Sequence, residues 1–301
     1  MIKDLIIIGA GPAGITAAIY AARKKLDFIV ISRDIGGQTV WAGEVANYPG
    51  YQLMSGADLA MKFREHLEQF RFDLREGEEA ATVEKLGDHF RVTTGKGEKI
   101  ECRTVLIATG KRPRLLGVPG EGKYNNKGLT FCATCEGPLF AGKAVAVIGG
   151  GNSALDAALQ LIRYCAKVYV INVADKLTGD PVMIEKVQTS SIVEVLNNTK
   201  VLGFLGDNFL KTVQVERAGT KKDIAVEGVF VEIGLVPNSN CIDFVEKNEQ
   251  GEIAVNCKAE TSTPGVFAAG DVADGPEKQI IIAAGAGATA LLSVFRYLST
   301  R

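Results

Sequence analysis

The chain has 301 residues, of which 47% are hydrophobic and 23% are charged, and its formal net charge is -1. That balance is typical of a folded protein of about two domains and excludes a disordered chain. With 34 Lys and Arg against 35 Asp and Glu, the chain lacks the basic surplus that nucleic acid or an anionic membrane surface requires, so neither is predicted as a partner.

The first predicted element is a buried strand that ends in a glycine-rich turn. Residues 5–22 carry no charge, but glycines divide this run into a strand, a turn and a helix, so we expect a cytoplasmic protein without a membrane span. The turn matches G-x-G-x-x-G at Gly9, Gly11 and Gly14. These glycines permit a tight turn, the approach of a pyrophosphate and close packing of helix on strand. Asp34, which follows the second strand, is interpreted either as a ribose acceptor or as a turn residue.

The same unit occurs a second time in the chain. Residues 145–174 align without gaps on residues 5–34, and each copy reads as strand, glycine-rich turn, helix and β-branched strand. Residues 105–114 and 229–238 resemble each other as closing strands. The repeat predicts an α/β fold of two Rossmann-like three-layer dinucleotide-binding domains, the second inserted in the first. The predicted borders are 1–114 with 241–301 for the first domain, and 115–240 for the second.

Cys132-Ala133-Thr134-Cys135 precedes the second copy and is followed by Glu136. The two sulfurs of a C-x-x-C motif can form and break a disulfide, and a helix start lowers the pKa of a thiol. The chain has six cysteines, and only these two are close in sequence, which favours a reducing compartment with one special pair. No second C-x-x-C or histidine at ligand spacing supports zinc, so no metal is predicted. Glu136 is interpreted either as a proton donor and acceptor or as a solvated carboxylate at a helix start.

The second glycine-rich turn has Gly149 and Gly151, with Ala154 at the third position, which is an allowed variant. A nucleotide with a 2′-phosphate normally requires arginine after the following strand. Residues 172–176 read Asn-Val-Ala-Asp-Lys and contain no arginine. The pattern therefore predicts either NADH, with Asp175 on its ribose, or a pocket that does not serve NADPH.

The last predicted strand ends at Gly270-Asp271, before a helix that begins at about Gln279. If Asp271 faces the first nucleotide unit, its carboxylate is suited to the ribityl hydroxyls of a flavin. Alone, a Gly-Asp pair indicates only a turn. Beside two nucleotide-binding units, it favours a flavin site.

Taken in order, the motifs over residues 5–298 resemble the low-molecular-weight thioredoxin reductases. They are GAGPAG at 9–14, GGQ at 36–38, EVANYPG at 44–50, ATG at 108–110, CATC at 132–135, GGGNSA at 149–154, FAAGDV at 267–272 and KQI at 278–280. The resemblance implies an FAD-dependent pyridine nucleotide–disulfide oxidoreductase that forms a homodimer and reduces a thioredoxin-like protein disulfide. It also implies that Cys135 lies next to the flavin and that Cys132 attacks the partner's disulfide.

The resemblance further implies two sets of nucleotide-binding residues. For FAD they are Gly9, Gly11, Pro12, Ala13, Gly14, Gly37, Gln38, Asn47, Thr109, Gly110, Gly270, Asp271, Lys278, Gln279 and Ile280. For a nicotinamide nucleotide they are Gly149, Gly151, Asn152, Ser153, Ala154 and Asp175.

Two departures from the family pattern bear on function. Glu136 replaces the family's aspartate, and the histidine-arginine-arginine clamp for NADPH reads Asn172, Val173 and Ala174, with Thr178 in place of a later arginine. We therefore expect NADH to be favoured over NADPH as the donor. The alternatives are a ferredoxin or other non-nicotinamide donor, the flavin reductase component of a peroxide-reducing system, and a flavin-binding redox sensor without turnover.

Overall fold

The computed structural model describes residues 2–42, 44–45 and 47–300, without the side chains of Trp41, Glu44, Thr134 and Cys135. The chain divides into two compact units. Unit 1 comprises Met1–Arg112 and Val236–Arg301, and unit 2 comprises Pro113–Leu235. The sequence predicts the corresponding borders after residues 114 and 240, so the structure places both slightly earlier in the chain.

The elements follow one another in the order that the repeat predicts. The first part of the chain contains β1 (Lys3–Ala10), α1 (Pro12–Arg23), β2 (Phe28–Ile35), β3 (Glu44–Val45), β4 (Met54–Ser55), α2 (Gly56–Leu67), β5 (Asp73–Glu76), β6 (Ala80–Leu86), β7 (His89–Thr94), β8 (Lys99–Ile107) and β9 (Lys111–Pro113). The middle part contains α3 (Glu121–Tyr124), β10 (Leu129–Thr130), α4 (Ala133–Glu136), β11 (Ala144–Ile148), α5 (Asn152–Leu161), β12 (Lys167–Ile171), α6 (Pro181–Thr189), β13 (Val193–Leu196), β14 (Thr199–Gly206), β15 (Leu210–Arg217), β16 (Thr220–Ala225), β17 (Gly228–Val231) and β18 (Leu235–Pro237). The last part contains β19 (Val266–Ala268) and α7 (Ile280–Ser299), and 3-10 helices cover Gly37–Trp41 and Gly137–Phe140.

Unit 1 is built on a sheet in which β5, β2, β1, β8 and β19 are parallel. β7 and β6 extend this sheet in antiparallel pairing. β1 is apolar on both faces because both are covered, as is usual for a parallel sheet. Leu5 and Ile7 pack in the cluster that contains α1 and α7, whereas Ile6 and Ile8 pack on the opposite side of the sheet.

Helix α7 packs against α1 through small side chains. A Cβ at Gly287 would lie 2.0 Å from the carbonyl oxygen of Ala13, so a glycine is required at this crossing. Ala283 and Ala290 are buried in the same cluster. By length and composition alone α7 could also cross a membrane. Its small, buried face is explained by the contact with α1.

Unit 2 repeats the parallel core with strand order β10, β17, β11, β12 and β13. One face carries α5 in a cluster with Phe230, and the other face packs on the antiparallel strands β14–β16 through Val229 and Val231. This alternation along β17 follows from the two-residue period of a strand. The α/β class predicted from the sequence is confirmed.

Candidate nucleotide and disulfide sites

The first glycine-rich turn of unit 1 packs too tightly for side chains at two of its three glycines. Gly9 has φ +103°, and a Cβ there would lie 2.3 Å from the carbonyl oxygen of Ala108. A Cβ at Gly14 would lie 1.9 Å from the carbonyl oxygen of Gly9. The first and third glycines therefore serve the close packing of α1 on the sheet, as the motif requires.

The middle glycine of this turn faces open space. A Cβ at Gly11 would have no neighbouring atom within 4 Å, and Gly11 is the N-cap of α1. No side chain of the described residues caps this helix, and its first helical bond runs from the N–H of Ile15 to the Gly11 carbonyl at 2.9 Å. The N–H groups of Ala13 and Gly14 precede that bond and are available to an anion. This geometry fits a pyrophosphate on the helix N-terminus.

The open N-terminus of α1 at Gly11 is the candidate phosphate seat of unit 1, and the turn after β2 folds back onto it. A Cβ at Gly37 would lie 3.2 Å from the Cα of Gly11, and the N–H of Gly37 donates to Asp34 Oδ1 at 3.1 Å. Asp34 thus supports the turn. Sequence reasoning missed Ser32, whose buried hydroxyl accepts the N–H of Ala10 at 2.9 Å and donates to the Asp34 carbonyl at 2.6 Å. The only sign of this role in the sequence is that Ser32 is a polar residue in an otherwise apolar strand.

Two predicted contacts join segments that are far apart in sequence. Gln38 Nε2 lies 3.4 Å from Asp271 Oδ2, and Asn47 Nδ2 donates to Gln279 Oε1 at 3.0 Å. A Cβ at Gly270 would lie 3.0 Å from that of Ala13, which brings the end of β19 beside the first turn of α1. Burial raises the pKa of Asp271.

Lys278 takes part in an ion cluster that the sequence does not reveal. Its Nζ lies 3.0 Å from Glu252 Oε1, and Lys111 Nζ lies 2.6 Å from the same oxygen. Burial alone would raise the pKa of Glu252, but hydrogen bonds from Lys111, Asn248 and Lys278 lower it to about 2. Lys278 also donates to the carbonyl of Ala273. Its positive charge is therefore shared with a buried carboxylate.

Thr109 and Gly110 are tied to the segment that returns to unit 1. The Thr109 hydroxyl donates to the Asn238 carbonyl at 2.7 Å, and the N–H of Asn238 donates to the Gly110 carbonyl at 2.9 Å. The remaining predicted residues, Pro12 and Ile280, are the first residues of α1 and α7. With the open turn at Gly11, unit 1 collects an anion seat, a carboxylate and three amides, a set of polar groups that fits the phosphates and hydroxyls of FAD.

The second turn, in unit 2, has the same construction. Gly149 has φ +140°, and a Cβ there would lie 2.2 Å from the carbonyl oxygen of Glu232 and 3.0 Å from the Cβ of Ala154. A Cβ at Gly151, the N-cap of α5, would have no neighbour within 4 Å, and this helix also lacks a side-chain cap from the described residues. This seat likewise fits a dinucleotide pyrophosphate. Ser153 is exposed at the start of α5.

The segment after β12 is bonded to the second turn. The buried amide of Asn172 donates to the Lys176 carbonyl at 2.8 Å, and its oxygen accepts the N–H of Ala174 at 3.2 Å. The N–H of Thr178 donates to the Gly150 carbonyl at 2.8 Å. Asn172 is therefore turned inward.

Further side chains of this region differ in whether they are hydrogen-bonded or exposed. Asn152 Oδ1 accepts the N–H of Asp180 at 2.6 Å, which joins the start of α5 to the start of α6. Val173 is 74% exposed, and Asp175 is exposed beside it. The surface after β12 thus offers an apolar side chain, a carboxylate and the exposed Lys176.

The predicted redox motif lies at the start of the short helix α4. Cys132 is disulfide-bonded, whereas Cys102, Cys165, Cys241 and Cys257 are free. The predicted role of Cys135 falls on a side chain outside the described part of the structure. The N–H of Cys132 donates to the hydroxyl of Thr130 at 3.2 Å.

Glu136 at the end of α4 is half-buried. Burial raises its pKa, and a hydrogen bond from Thr130 opposes that rise without cancelling it. The buried Thr130 therefore contacts both Cys132 and Glu136. The sequence does not indicate this role, because a threonine in a short strand belongs to no recognisable motif.

Residues 3–289 match the family model of pyridine nucleotide-disulphide oxidoreductases. The chain belongs to this family. Membership implies FAD and a nicotinamide nucleotide as cofactors.

Solved structures assign the chain to the low-molecular-weight thioredoxin reductase group, as the sequence predicts. It is similar to the thioredoxin reductase of Lactococcus lactis, with a TM-score of 0.83, 31% identity and coverage of 99% of this chain and 100% of that one. The thioredoxin reductase of T. acidophilum gives a TM-score of 0.80 and 34% identity over 99% of this chain and 98% of that one. The two Rossmann-like domains are thereby confirmed.

Among curated proteins, the chain is 39% identical over 298 residues to the F subunit of alkyl hydroperoxide reductase from Staphylococcus aureus strain MSSA476. The match covers 98% of this chain and 59% of that protein. The chain therefore spans about three-fifths of the length of this relative.

Proposed function

We propose that the chain is an FAD-dependent reductase that takes electrons from NADH and passes them through Cys132 and Cys135 to a thioredoxin-type protein disulfide. The observation that carries this proposal is the disulfide at Cys132, at the start of α4 and bonded through its N–H to Thr130. The two open glycine-rich turns supply one seat for FAD and one for the donor nucleotide.

FAD, when bound, supplies two-electron transfer between the nicotinamide and the disulfide. Gly11 and the N-terminus of α1 would hold its pyrophosphate, and Asp271 and Gln38 would hold its hydroxyls. Gln279 and Asn47, bonded to each other, would close the site near the start of α7.

The cysteine pair exchanges two electrons and two protons with each partner molecule. Reduction breaks its S–S bond and leaves two thiols. The Cys132 thiolate then attacks the partner's disulfide and forms a mixed disulfide, and Cys135 attacks Cys132 to release the partner as a dithiol. Overall, NADH and one proton reduce one partner disulfide to two thiols.

Glu136 is the proton carrier in this proposal. Because burial raises its pKa, the carboxyl group holds a proton at a higher pH than an exposed glutamate does. A carboxyl near the thiols can protonate the departing sulfur and later take that proton back. The hydrogen bond from Thr130 orients it.

NADH is the proposed donor because the segment after β12 has no arginine for a 2′-phosphate, and its exposed Lys176 stands directly after the carboxylate of Asp175. Asn172 is bonded internally, Val173 is exposed and apolar, and Thr178 is bonded to the Gly150 carbonyl. Each missing charge-assisted contact is worth ~1.5–3 kcal/mol. The exposed carboxylate of Asp175 would repel a phosphate and suits a free ribose hydroxyl.

Single substitutions of the cysteine pair test the relay. Cys132→Ser and Cys135→Ser should each abolish reduction of thioredoxin while FAD stays bound, because one sulfur forms the mixed disulfide and the other resolves it. Cys257→Ser, at an exposed free cysteine, is the matched control and should keep full activity. Near wild-type activity in either variant of the pair would disprove the relay.

A second candidate is the flavin reductase component of a peroxide-reducing system. It is favoured by the 39% identity to the F subunit of alkyl hydroperoxide reductase. NADH-dependent peroxide consumption with a peroxiredoxin, measured with and without added thioredoxin, separates the two functions. The homodimer and the cytoplasmic location expected from the sequence stay predictions, testable by sedimentation and cell fractionation.

A further inference from the structure

Glu252 is a buried carboxylate that holds two lysines from distant parts of unit 1. Its Oε1 lies 2.6 Å from Lys111 Nζ and 3.0 Å from Lys278 Nζ, and its Oε2 accepts a hydrogen bond from Asn248 Nδ2 at 2.6 Å. Burial would raise the pKa of Glu252, but these hydrogen bonds lower it to about 2, so the group is charged at neutral pH. Both of its oxygens are therefore used within the protein.

The backbone places this carboxylate next to the end of β19, where Asp271 stands. The N–H of Ile253 donates to the Val272 carbonyl at 2.9 Å, and Ile253 pairs with Ala273 in parallel register. Glu252 therefore lies beside Val272, the residue that follows Asp271.

Lys111 leaves the same edge of the sheet as Asp271. It follows β8 and Asp271 follows β19, and these two strands are parallel neighbours in which Ile107 is opposite Ala268. Burial raises the pKa of Asp271, and both lysines oppose that rise. Among the described residues, however, the side chain of Asp271 is bonded by Gln38 Nε2 at 3.4 Å, whereas both ammonium groups are bonded to Glu252.

The two lysines differ in what else they bond. Lys278 also donates to the carbonyl of Ala273, whereas Lys111, in the part of the chain that the structure describes, bonds to Glu252 alone. Only 13% of the Lys111 side chain is exposed, so loss of Glu252 would leave its ammonium group buried without a partner, which is strongly unfavourable. Asp271 is the carboxylate that remains beside it.

We propose that Glu252 is a positioning residue of the flavin site, which holds Lys111 away from Asp271 so that Asp271 can accept a hydrogen bond from a hydroxyl of FAD. The role rests on the proposed FAD site in unit 1, and Glu252 acts in it through another residue. An ion pair between Lys111 and Asp271 would occupy a carboxylate oxygen that the ribityl chain needs as an acceptor.

Equilibrium dialysis of the FAD-loaded protein against a series of FAD concentrations tests this role without turnover. Glu252→Gln keeps the size of the side chain and removes its charge, so Lys111 should pair with Asp271. The FAD dissociation constant should rise about 10- to 100-fold, the loss of one hydrogen bond to a charged group. Glu249→Gln, at an exposed position of the same loop, is the matched control and should bind FAD as wild type does.

Removal of the lysine as well distinguishes this role from simple support of the fold. Glu252→Gln with Lys111→Met loses one anion and one cation together, so it keeps the net charge of the cluster and leaves Asp271 free. Its FAD dissociation constant should return close to that of wild type, because an apolar replacement of a buried ion pair is often neutral. If Glu252 served only to tie Lys111 to Lys278, this double variant would bind FAD as weakly as Glu252→Gln.

A variant at Asp271 shows whether Glu252 acts through this carboxylate. In an Asp271→Ala background, the acceptor that Glu252 protects is already gone. Glu252→Gln should then change the FAD dissociation constant by less than about twofold, whereas the effects of two independent residues would multiply.

The FAD site and the role of Glu252 can fail separately. Unchanged FAD affinity in Glu252→Gln, weak binding by the double variant with Lys111→Met, or multiplied effects in the Asp271→Ala background would overturn the role and leave the FAD site standing. If Glu252→Gln does not fold, the double variant still decides, because near wild-type FAD affinity supports the role and weak binding overturns it. Wild-type protein that binds no FAD would overturn the proposed site itself.

Discussion

The two glycine-rich turns share their sequence pattern and differ in what surrounds them. In unit 1, the segment after β2 folds back so that Gly37 lies on Gly11, and Gln38 reaches Asp271. In unit 2, the corresponding segment after β12 bonds to the turn at Gly150, and its buried Asn172 satisfies its amide internally. Under the proposed function, the turn itself binds the pyrophosphate, whereas the segment after the second strand selects which nucleotide fits.

The same difference supports the proposal that the first turn holds FAD and the second a donor that binds and dissociates in each turnover. Unit 1 brings groups from distant parts of the chain, including Asn47 and Gln279, into one cradle. Unit 2 presents an exposed apolar side chain at Val173 and an exposed carboxylate at Asp175. More contacts around the first seat favour a tightly held cofactor.

The largest expected effect is the loss of FAD from Gly11→Val. The new side chain enters space that is open in the protein and that the pyrophosphate needs, so folding should survive while FAD is lost almost completely. The ratio of flavin absorbance to protein measures it, and circular dichroism checks the fold. A variant that purifies with full FAD would place the flavin elsewhere.

Gly151→Val, the equivalent change in unit 2, should keep FAD and lose the donor. Two charge-assisted hydrogen bonds at ~1.5 kcal/mol each correspond to a loss of about 100-fold in reduction by NADH. Anaerobic bleaching of the flavin by NADH measures the effect, and bleaching by dithionite serves as the control. Loss of FAD from this variant, with NADH reduction of the remaining flavin intact, would reverse the roles of the two turns.

The double substitution Val173→Arg with Ala174→Arg should move the nucleotide preference of the enzyme toward NADPH. One charge-assisted contact of ~1.5–3 kcal/mol raises the ratio of NADPH to NADH efficiency by about 10- to 100-fold. Leu205→Arg, at a 45% exposed position on β14, adds a cation elsewhere and should leave the ratio unchanged. A ratio unaffected by the double substitution would mean that the 2′-phosphate lies away from this segment.

The smallest effect is on stability. Gly14→Ala places a Cβ 1.9 Å from the Gly9 carbonyl and should destabilise unit 1 by ~1–3 kcal/mol. Ala154→Gly, at the matched position of unit 2, has no clash to relieve and should cost about 1 kcal/mol through backbone entropy. Calorimetric melting of the FAD-loaded proteins compares them. A larger shift for Ala154→Gly would contradict the packing described for the two turns.

Sequence reasoning captured the repeated units because strand periodicity and glycine spacing are local. The openness of Gly11 and Gly151 follows from the same motif. The predicted site residues remain predictions, and the structure gives their positions except for the side chain of Cys135. The Lys111–Glu252–Lys278 cluster could not be predicted, because it depends on the register between segments far apart in sequence. The Asn172 amide likewise donates to Asn197, which lies in the turn between β13 and β14 and is distant in sequence.

Anaerobic stopped-flow reduction of the flavin tests directly whether NADH is the electron donor. The FAD-loaded protein is mixed separately with NADH and NADPH, and the bleaching of the flavin is followed. We predict faster reduction by NADH, with NADPH slower by orders of magnitude, because the segment after β12 offers a 2′-phosphate no arginine. Reduction by NADPH at a rate equal to or above that of NADH would contradict it, and failure of both nucleotides would favour a donor such as reduced ferredoxin.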